Sequence, residues 1–273
     1  MKTGINQWAF PPDWTTEAAM KSAKGIGFAS FEICVGEDGP VSIDATENEI
    51  ANLRSTAKQL GLEVSSVASG MGWQYPLSSP DPQLREQGKT AVAKELQIAQ
   101  WLGADAVLVV PGVVTPEVAY DTALENTLAA IEDLLPVAEK LQVAIAVENV
   151  WNKFLVSPVE MRDFIDQFDS PYVRAFFDIG NIMLYGFPEQ WIRILGRRIA
   201  KVHAKDFRTN VGNLDGFVML MEGEVDWPAV VTALHEVGYT GPLTAEYGPY
   251  PHSLETMLRH AHSSLEAIIA LGA

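Results

Sequence analysis

Eight short runs rich in β-branched and aromatic residues, separated by longer segments with apolar residues three and four apart, constrain this chain more than any other feature. The runs are TGINQWA (3–9), FASFEICV (28–35), LEVSSVAS (62–69), DAVLVVP (105–111), QVAIAVEN (142–149), YVRAFFD (172–178), IAKVHAKD (199–206) and PLTAEYG (242–248). The intervening segments, Thr15–Gly25, Thr46–Leu60, Asp81–Leu102, Pro116–Leu141, Ser157–Phe168, Asn181–Leu195, Asp226–Val237 and Ser253–Leu271, carry helical periodicity. Several close on a glycine, as in IGF, LGL, LGA and VGYTG, where a helix C-cap favours a left-handed residue. Ser157 and Pro158 open another as N-cap and first-turn proline. Eight βα units in register predict an α/β fold, a (β/α)8 TIM barrel, formed as one domain over residues 1–273. An open dinucleotide-binding sheet is the competing arrangement, but NQWAFPPDW follows the first run where a G-x-G-x-x-G turn would stand.

Charge and cysteine content narrow the function. Nineteen Lys and Arg against thirty-five Asp and Glu give a net charge of −16. That field repels nucleic acid and anionic lipid surfaces, although a local cation cluster can still hold a small anion. Cys34 is the only cysteine, so no intrachain disulfide forms and a reducing compartment is expected. No apolar run reaches a signal-sequence core or the ~18 to 20 residues of a membrane span, so the reading is cytoplasmic, with no membrane partner.

In a barrel the C-terminal ends of the strands build the site. Runs five to eight end in Glu148, Asp178, His203 and Glu246, with Lys205 two residues beyond His203. Singly, each has an ordinary structural explanation. A glutamate there caps a helix or meets solvent, a lone histidine is hydrogen-bonded in the core, and Asp178 before IGN caps the next helix. Together on consecutive strands, three carboxylates repel one another unless a cation lies among them. One divalent metal ion is therefore expected, held by Glu148, Asp178, His203 and Glu246. An oxygen-rich set with one imidazole suits Mn, Mg or Co, and admits Zn.

VEN (147–149), FDIGN (177–181), VHAKD (202–206) with GEVDW (223–227), and LHEVGYTGPLTAEY (234–247) resemble, in order and spacing, the xylose-isomerase-like TIM barrels of the sugar phosphate isomerase/epimerase group, and most of all the ketose and ketose-5-phosphate 3-epimerases. The resemblance implies a metal-dependent isomerase or epimerase of carbohydrate metabolism acting on a small sugar or sugar phosphate. It gives Glu148, Asp178, His203 and Glu246 to the metal, and makes Glu148 and Glu246 the catalytic acid/base pair. Arg208 stands near the family's substrate-binding arginine. Two positions depart from the free-ketose pattern: Asn181 replaces a histidine three residues after the metal aspartate, and Asn152 to Phe154 carry no glutamate. A homo-oligomer is left open by analogy.

The reaction this implies removes a proton α to a ketose carbonyl, which requires stabilisation of the resulting enediolate. A Lewis-acidic metal supplies it, and carboxylates on opposite faces take and return the proton at C3. Strand alternation points Lys205 into the mouth, where it either stabilises the enediolate or pairs with Asp206 or another acid. Glu32 faces inward from the second run, either as a substrate contact or as a hydrogen-bond partner behind the ligands. Trp8, Phe10, Trp73, Tyr75 and Trp151 stand near strand ends, as sugar-covering rings or as rim packing; Trp8, Trp151 and Asn181 are taken as substrate-binding candidates. Inosose dehydratase or hydroxypyruvate isomerase chemistry uses the same scaffold, and a non-catalytic sugar-binding barrel remains an alternative. An apurinic endonuclease does not fit a chain with five histidines and strong negative charge.

Overall fold

A computed structural model describes residues 1–272. Eight strands form one closed parallel sheet: β1 (Lys2–Asn6), β2 (Ser30–Gly36), β3 (Glu63–Ser69), β4 (Ala106–Val109), β5 (Ala144–Glu148), β6 (Val173–Asp178), β7 (Ile199–Ala204) and β8 (Pro242–Ala245). Each pairs with its sequence neighbours, and β8 returns to β1 through Lys2↔Pro242 and Gly4↔Thr244. Helices α1 (Thr16–Ile26), α2 (Glu47–Leu60), α3 (Pro82–Leu102), α4 (Tyr120–Leu141), α5 (Pro158–Asp166), α6 (Pro188–Leu195), α7 (Trp227–Glu236) and α8 (Leu254–Ala270) follow the strands in turn. This is the (β/α)8 barrel that the alternating runs predict. Among the described residues, no helix is long and apolar enough to cross a membrane.

The pleat sorts each strand into two rows. Val143, just before β5, and Ile145 and Val147 on it belong to the large core cluster beneath the helices, while Ala144 and Ala146 join Cys34, Ala68, Ala106, Leu108, Val110 and Phe176 in a smaller cluster filling the lumen. Each β-branched side chain fully buried between strand and helix contributes roughly 1.5–3 kcal/mol, so the outer rows carry much of the stability. Glu148 continues the row of Ala144 and Ala146, Asp178 that of Phe176, and His203 and Glu246 the inner rows of β7 and β8. The alternation that fills the barrel thus aims these four side chains at its C-terminal mouth.

Local chemistry sets the boundaries. Thr46 and Glu49 form a reciprocal capping box at the start of α2, and the Ser157 hydroxyl accepts from Glu160 N at 3.2 Å. Gly61 and Gly103 end α2 and α3 with φ of 60° and 81°, conformations that cost other residues strain. Three elements differ from the sequence reading. β1 stops at Asn6, whose side-chain oxygen accepts from Trp8 N at 2.7 Å and starts a tight turn over Gln7–Ala9. α4 begins at Tyr120 rather than Pro116, because Thr115 and Val118 pair with each other. α6 begins at Pro188 rather than Asn181, because Asn181 lies in a separate turn held by Asp178.

Glu95 on α3 is a buried charge-capable group outside the four-residue cluster. Burial pushes its carboxyl up to about 7, offset only in part by the Ser69 hydroxyl. The folded state therefore holds a proton that the unfolded chain releases above its ordinary 4.5, and stability falls as pH rises from about 4.5 to 7. In chemical denaturation, Glu95→Gln is expected to flatten this dependence, its stability relative to wild type rising by about 3 kcal/mol across the window. An unchanged pH profile would contradict the assignment.

Candidate metal centre

Glu148, Asp178, His203 and Glu246 each offer one ligand atom, and the four atoms lie within 4.8 Å of one another. His203 Nδ1 is 2.7 Å from Glu246 Oε2 and 3.9 Å from both Glu148 Oε1 and Asp178 Oδ2. Lys205 Nζ stands 3.0 Å from Asp178 Oδ2 and 2.9 Å from Glu246 Oε2. These approaches are close but poorly directed: Asp178 Oδ2, His203 Nδ1 and Glu246 Oε2 are all buried without an aligned hydrogen bond. Buried polar atoms rarely remain so. Three such atoms on one spot, together with Glu148, form a donor set that fits a divalent cation.

Electrostatics point the same way. Burial raises the Glu148 carboxyl to about 8, with Glu246 and Asp178 adding to the rise and Lys205 and His203 opposing it. Burial likewise raises Asp178. In Glu246, burial is outweighed by Lys205 and His203, which hold it down at about 2. Burial alone would lower Lys205 and His203, but Asp178 and Glu246 beside the ammonium, and Glu32 and Glu246 beside the imidazole, raise both. The cluster has more negative charge than one ammonium and one imidazole relieve, and a divalent ion would supply the missing charge.

The local sequence explains how the strand ends hold this shape. Asn149 clamps β5 to β6, its Oδ1 accepting from Asp178 N at 2.8 Å and its Nδ2 donating to Asp178 O at 2.7 Å. Asp178 divides its oxygens: Oδ1 accepts from Asn181 N at 2.9 Å, the capping role the sequence left open, while Oδ2 faces the cluster. Asn181 Nδ2 donates to Asn149 O at 3.0 Å and lies 3.5 Å from Glu148 Oε1. Gly180 permits the crossing, since a Cβ there would come within 2.6 Å of Lys205 Cβ.

The remaining candidates divide. Trp151 reaches the site, its Nε1 donating to Asn181 O at 2.7 Å and its ring packing against Phe207 and Phe217. With Lys205 Nζ 5.6 Å from the Phe217 centroid, these rings form one wall of the mouth. A cavity of about 480 Å³ adjoins it, lined by residues that include Lys205, Phe217, Met219, Glu246, Tyr247 and Tyr250. A hollow of about 710 Å³ opens at the opposite ends of the strands around Lys2, Asp105, Arg174 and Lys201, and holds none of the four ligand-bearing residues. Trp8 is partly exposed on its turn, whereas Phe10 is buried against Phe31 as ordinary packing.

Arg208 does not line the cavity beside Glu246; it is exposed, and its Nε donates to Glu222 O at 3.2 Å. Of the pairings open to Lys205, the structure shows those with Asp178 and Glu246 rather than with Asp206. Of the two uses expected for Glu32, the structure shows the hydrogen-bond partner behind the ligands: it is fully buried, its Oε1 2.7 Å from His203 Nε2. Asn149, Asn6 and Ser66 were not singled out, although strand alternation places Asn6 and Ser66 inward with Glu32. Asn152 and Phe154, which replace the family's additional acid, are structural: Asn152 Nδ2 donates to Gly112 O at 2.7 Å, and Phe154 packs against Tyr120 and Phe164.

Asp206 anchors the long loop after β7. Its Oδ1 accepts from Phe207 N and Val225 N, and its Oδ2 from Met221 N and Trp227 Nε1, at 2.9 to 3.2 Å. Gly223 packs so closely that a Cβ would come 2.1 Å from Asp206 Oδ1. Asp206→Ala would strand four donors and is expected to cost about 3 kcal/mol or more in thermal unfolding, with faster proteolysis between residues 208 and 224.

A closed parallel barrel that gathers three acids and one imidazole at its C-terminal mouth is a (β/α)8 protein with a donor set that fits a divalent cation. The family model described as xylose isomerase-like TIM barrel matches residues 20–268, and the chain belongs to that family. It is 25% identical over 246 residues to L-ribulose-5-phosphate 3-epimerase UlaE of Salmonella paratyphi C (strain RKS4594), covering 89% of this chain and 86% of the relative. A crystal structure of D-psicose 3-epimerase in the presence of D-fructose superposes with a TM-score of 0.85 at 17% identity, covering 100% of both chains. The IOLI protein, solved with a bound zinc atom, superposes with a TM-score of 0.79 at 15% identity, covering 99% of this chain and 98% of that one.

Proposed function

We propose that the protein is a divalent-metal-dependent isomerase or epimerase of a small sugar or sugar phosphate, transferring a proton at C3 of a ketose. The observation that carries this reading is the convergence of Glu148, Asp178, His203 and Glu246 within 4.8 Å at the barrel mouth. Membership of the family and the names of the relatives support the substrate class.

Glu148, Asp178, His203 and Glu246 would hold the ion, which supplies Lewis-acid stabilisation of the charge that develops on the substrate oxygens. Glu148 and Glu246 stand on β5 and beyond β8, across the mouth from each other in strand order. They are suited to take the proton on one face of C3 and return one on the other, exchanging roles with reaction direction. The Lys205 ammonium is positioned to offset charge on the enediolate. Trp151 and Phe217 wall the site with apolar surface that excludes water and covers the face of a sugar.

The test is metal analysis of the purified protein, followed by incubation of ketoses and their 5-phosphates in D2O with Mn2+, Co2+, Mg2+ or Zn2+. Deuterium at C3 together with the C3 epimer is the expected result. Exchange at C1 would assign an aldose–ketose isomerase, and loss of water a dehydratase. Absence of bound metal and of exchange with every candidate would reject catalysis of this kind.

A further inference from the structure

We propose that Glu32 is a positioning residue that fixes the ring orientation and tautomer of His203, keeping the proton on Nε2 and leaving Nδ1 to the four-residue cluster; this rests on the cation reading above. Three donors converge on the Glu32 carboxylate. Its Oε1 meets Asn6 Nδ2 and, at 2.7 Å, His203 Nε2, and its Oε2 accepts from Ser66 Oγ. A carboxylate is acceptor-only, so three donors suit it and its partner on the ring must be the protonated nitrogen. Nε2 is thereby assigned an N–H whether or not an ion is bound, and Nδ1, 2.7 to 3.9 Å from Glu246, Glu148 and Asp178, is the nitrogen that would give up its proton to an ion.

The surroundings leave Glu32 little other use. It is fully buried, and the His203 ring is held on its other side by Phe176, with centroids 4.4 Å apart. A carboxylate without water is costly to bury unless its hydrogen bonds are made, and here both oxygens are engaged. The network also reaches the rim: Asn6 donates to Glu32 while its own Oδ1 accepts from Trp8 N, so the turn carrying Trp8 and the histidine of the cluster rest on one carboxylate. A buried carboxylate on the remote nitrogen of a metal-binding histidine orients the ring and raises its basicity as a ligand.

The experiment is long-range 1H–15N NMR of the His203 ring in the intact protein, metal-free and with Zn2+, combined with calorimetric Zn2+ titration. Wild type is expected to show a slowly exchanging Nε2–H in both states, with Zn2+ perturbing Nδ1. Glu32→Gln keeps the shape but removes the charge; it is expected to weaken Zn2+ binding about 10- to 100-fold and to speed exchange of the Nε2 proton. An unprotonated Nε2 in wild type, or a Glu32→Gln protein with unchanged ring signals and affinity within twofold, overturns the role. Should Glu32→Gln fail to fold, the wild-type ring signals alone decide it. Failure of wild type to bind Zn2+ or any other divalent ion would instead reject the cation site, and comparison of Nε2-proton exchange in metal-free wild type and Glu32→Gln would still decide whether Glu32 holds that nitrogen.

Discussion

Glu246→Gln is expected to lower turnover by about 10³- to 10⁴-fold while leaving the barrel folded, and Glu148→Gln to do the same. An amide keeps the shape of the side chain but cannot take a proton from carbon, and loss of one positioned acid/base group typically costs 10²- to 10⁴-fold. The upper part of that range is expected because each residue also loses its charge as a ligand. The two variants should differ in stability. Glu148 is a buried carboxyl raised to about 8, so its neutral isostere removes a desolvation cost. Glu246 lies 2.7 Å from His203 and 2.9 Å from Lys205, so neutralising it leaves two cations with one fewer anion. Glu148→Gln should therefore melt at or above wild type and Glu246→Gln below it, in unfolding scans without added metal. Turnover in either variant within tenfold of wild type would contradict the two-carboxylate scheme.

Removal of divalent ions by chelation and dialysis is expected to abolish turnover and to lower the melting temperature, with both restored when a single metal is returned. A ligand present at a hundred times its dissociation constant stabilises the native state by about 2.7 kcal/mol. For a chain of this size that corresponds to roughly 5 to 10 °C. The pH dependence has a defined sign. Without metal, Glu148 holds a proton below about 8, and an incoming ion must displace it, so affinity should rise with pH up to about 8. Identical melting temperatures with chelator and with each of Mn2+, Co2+, Mg2+ and Zn2+ would remove the basis for a cation at this position.

The barrel and its four convergent residues were legible in the sequence because both follow from periodicity. Side chains two apart on a strand share a face, so Ala144, Ala146 and Glu148 announce a lumen row that ends in an acid, and consecutive strands place such ends side by side. What could not be read was set by contacts between distant segments. Arg208 is only five residues from His203, but the pairing of Asp206–Phe207 with Phe217–Val218 turns the chain outward and takes the guanidinium to the Glu222 carbonyl. Glu32 was seen to face inward, yet its use depends on Asn6, Ser66 and His203, which come from three other strands. The start of α6 was misplaced because the polar contacts of Asn181 with Asp178, Glu148, Asn149 and Trp151 override the helical spacing that runs through it.

The Asp206 anchor separates two kinds of evolutionary freedom. The four candidate ligand residues are rooted in the staves of the cylinder, whereas the excursion from Arg208 to Glu224 is tied down at its base by one carboxylate and is solvent-facing over residues 208 to 215. A change of length at the tip is therefore expected to leave the four convergent side chains in place. None of residues 208 to 215 lines the cavity beside Glu246, whereas Phe217, Val218, Met219 and Glu222 of the same excursion do, so variation at the tip is separated from variation at the cavity wall.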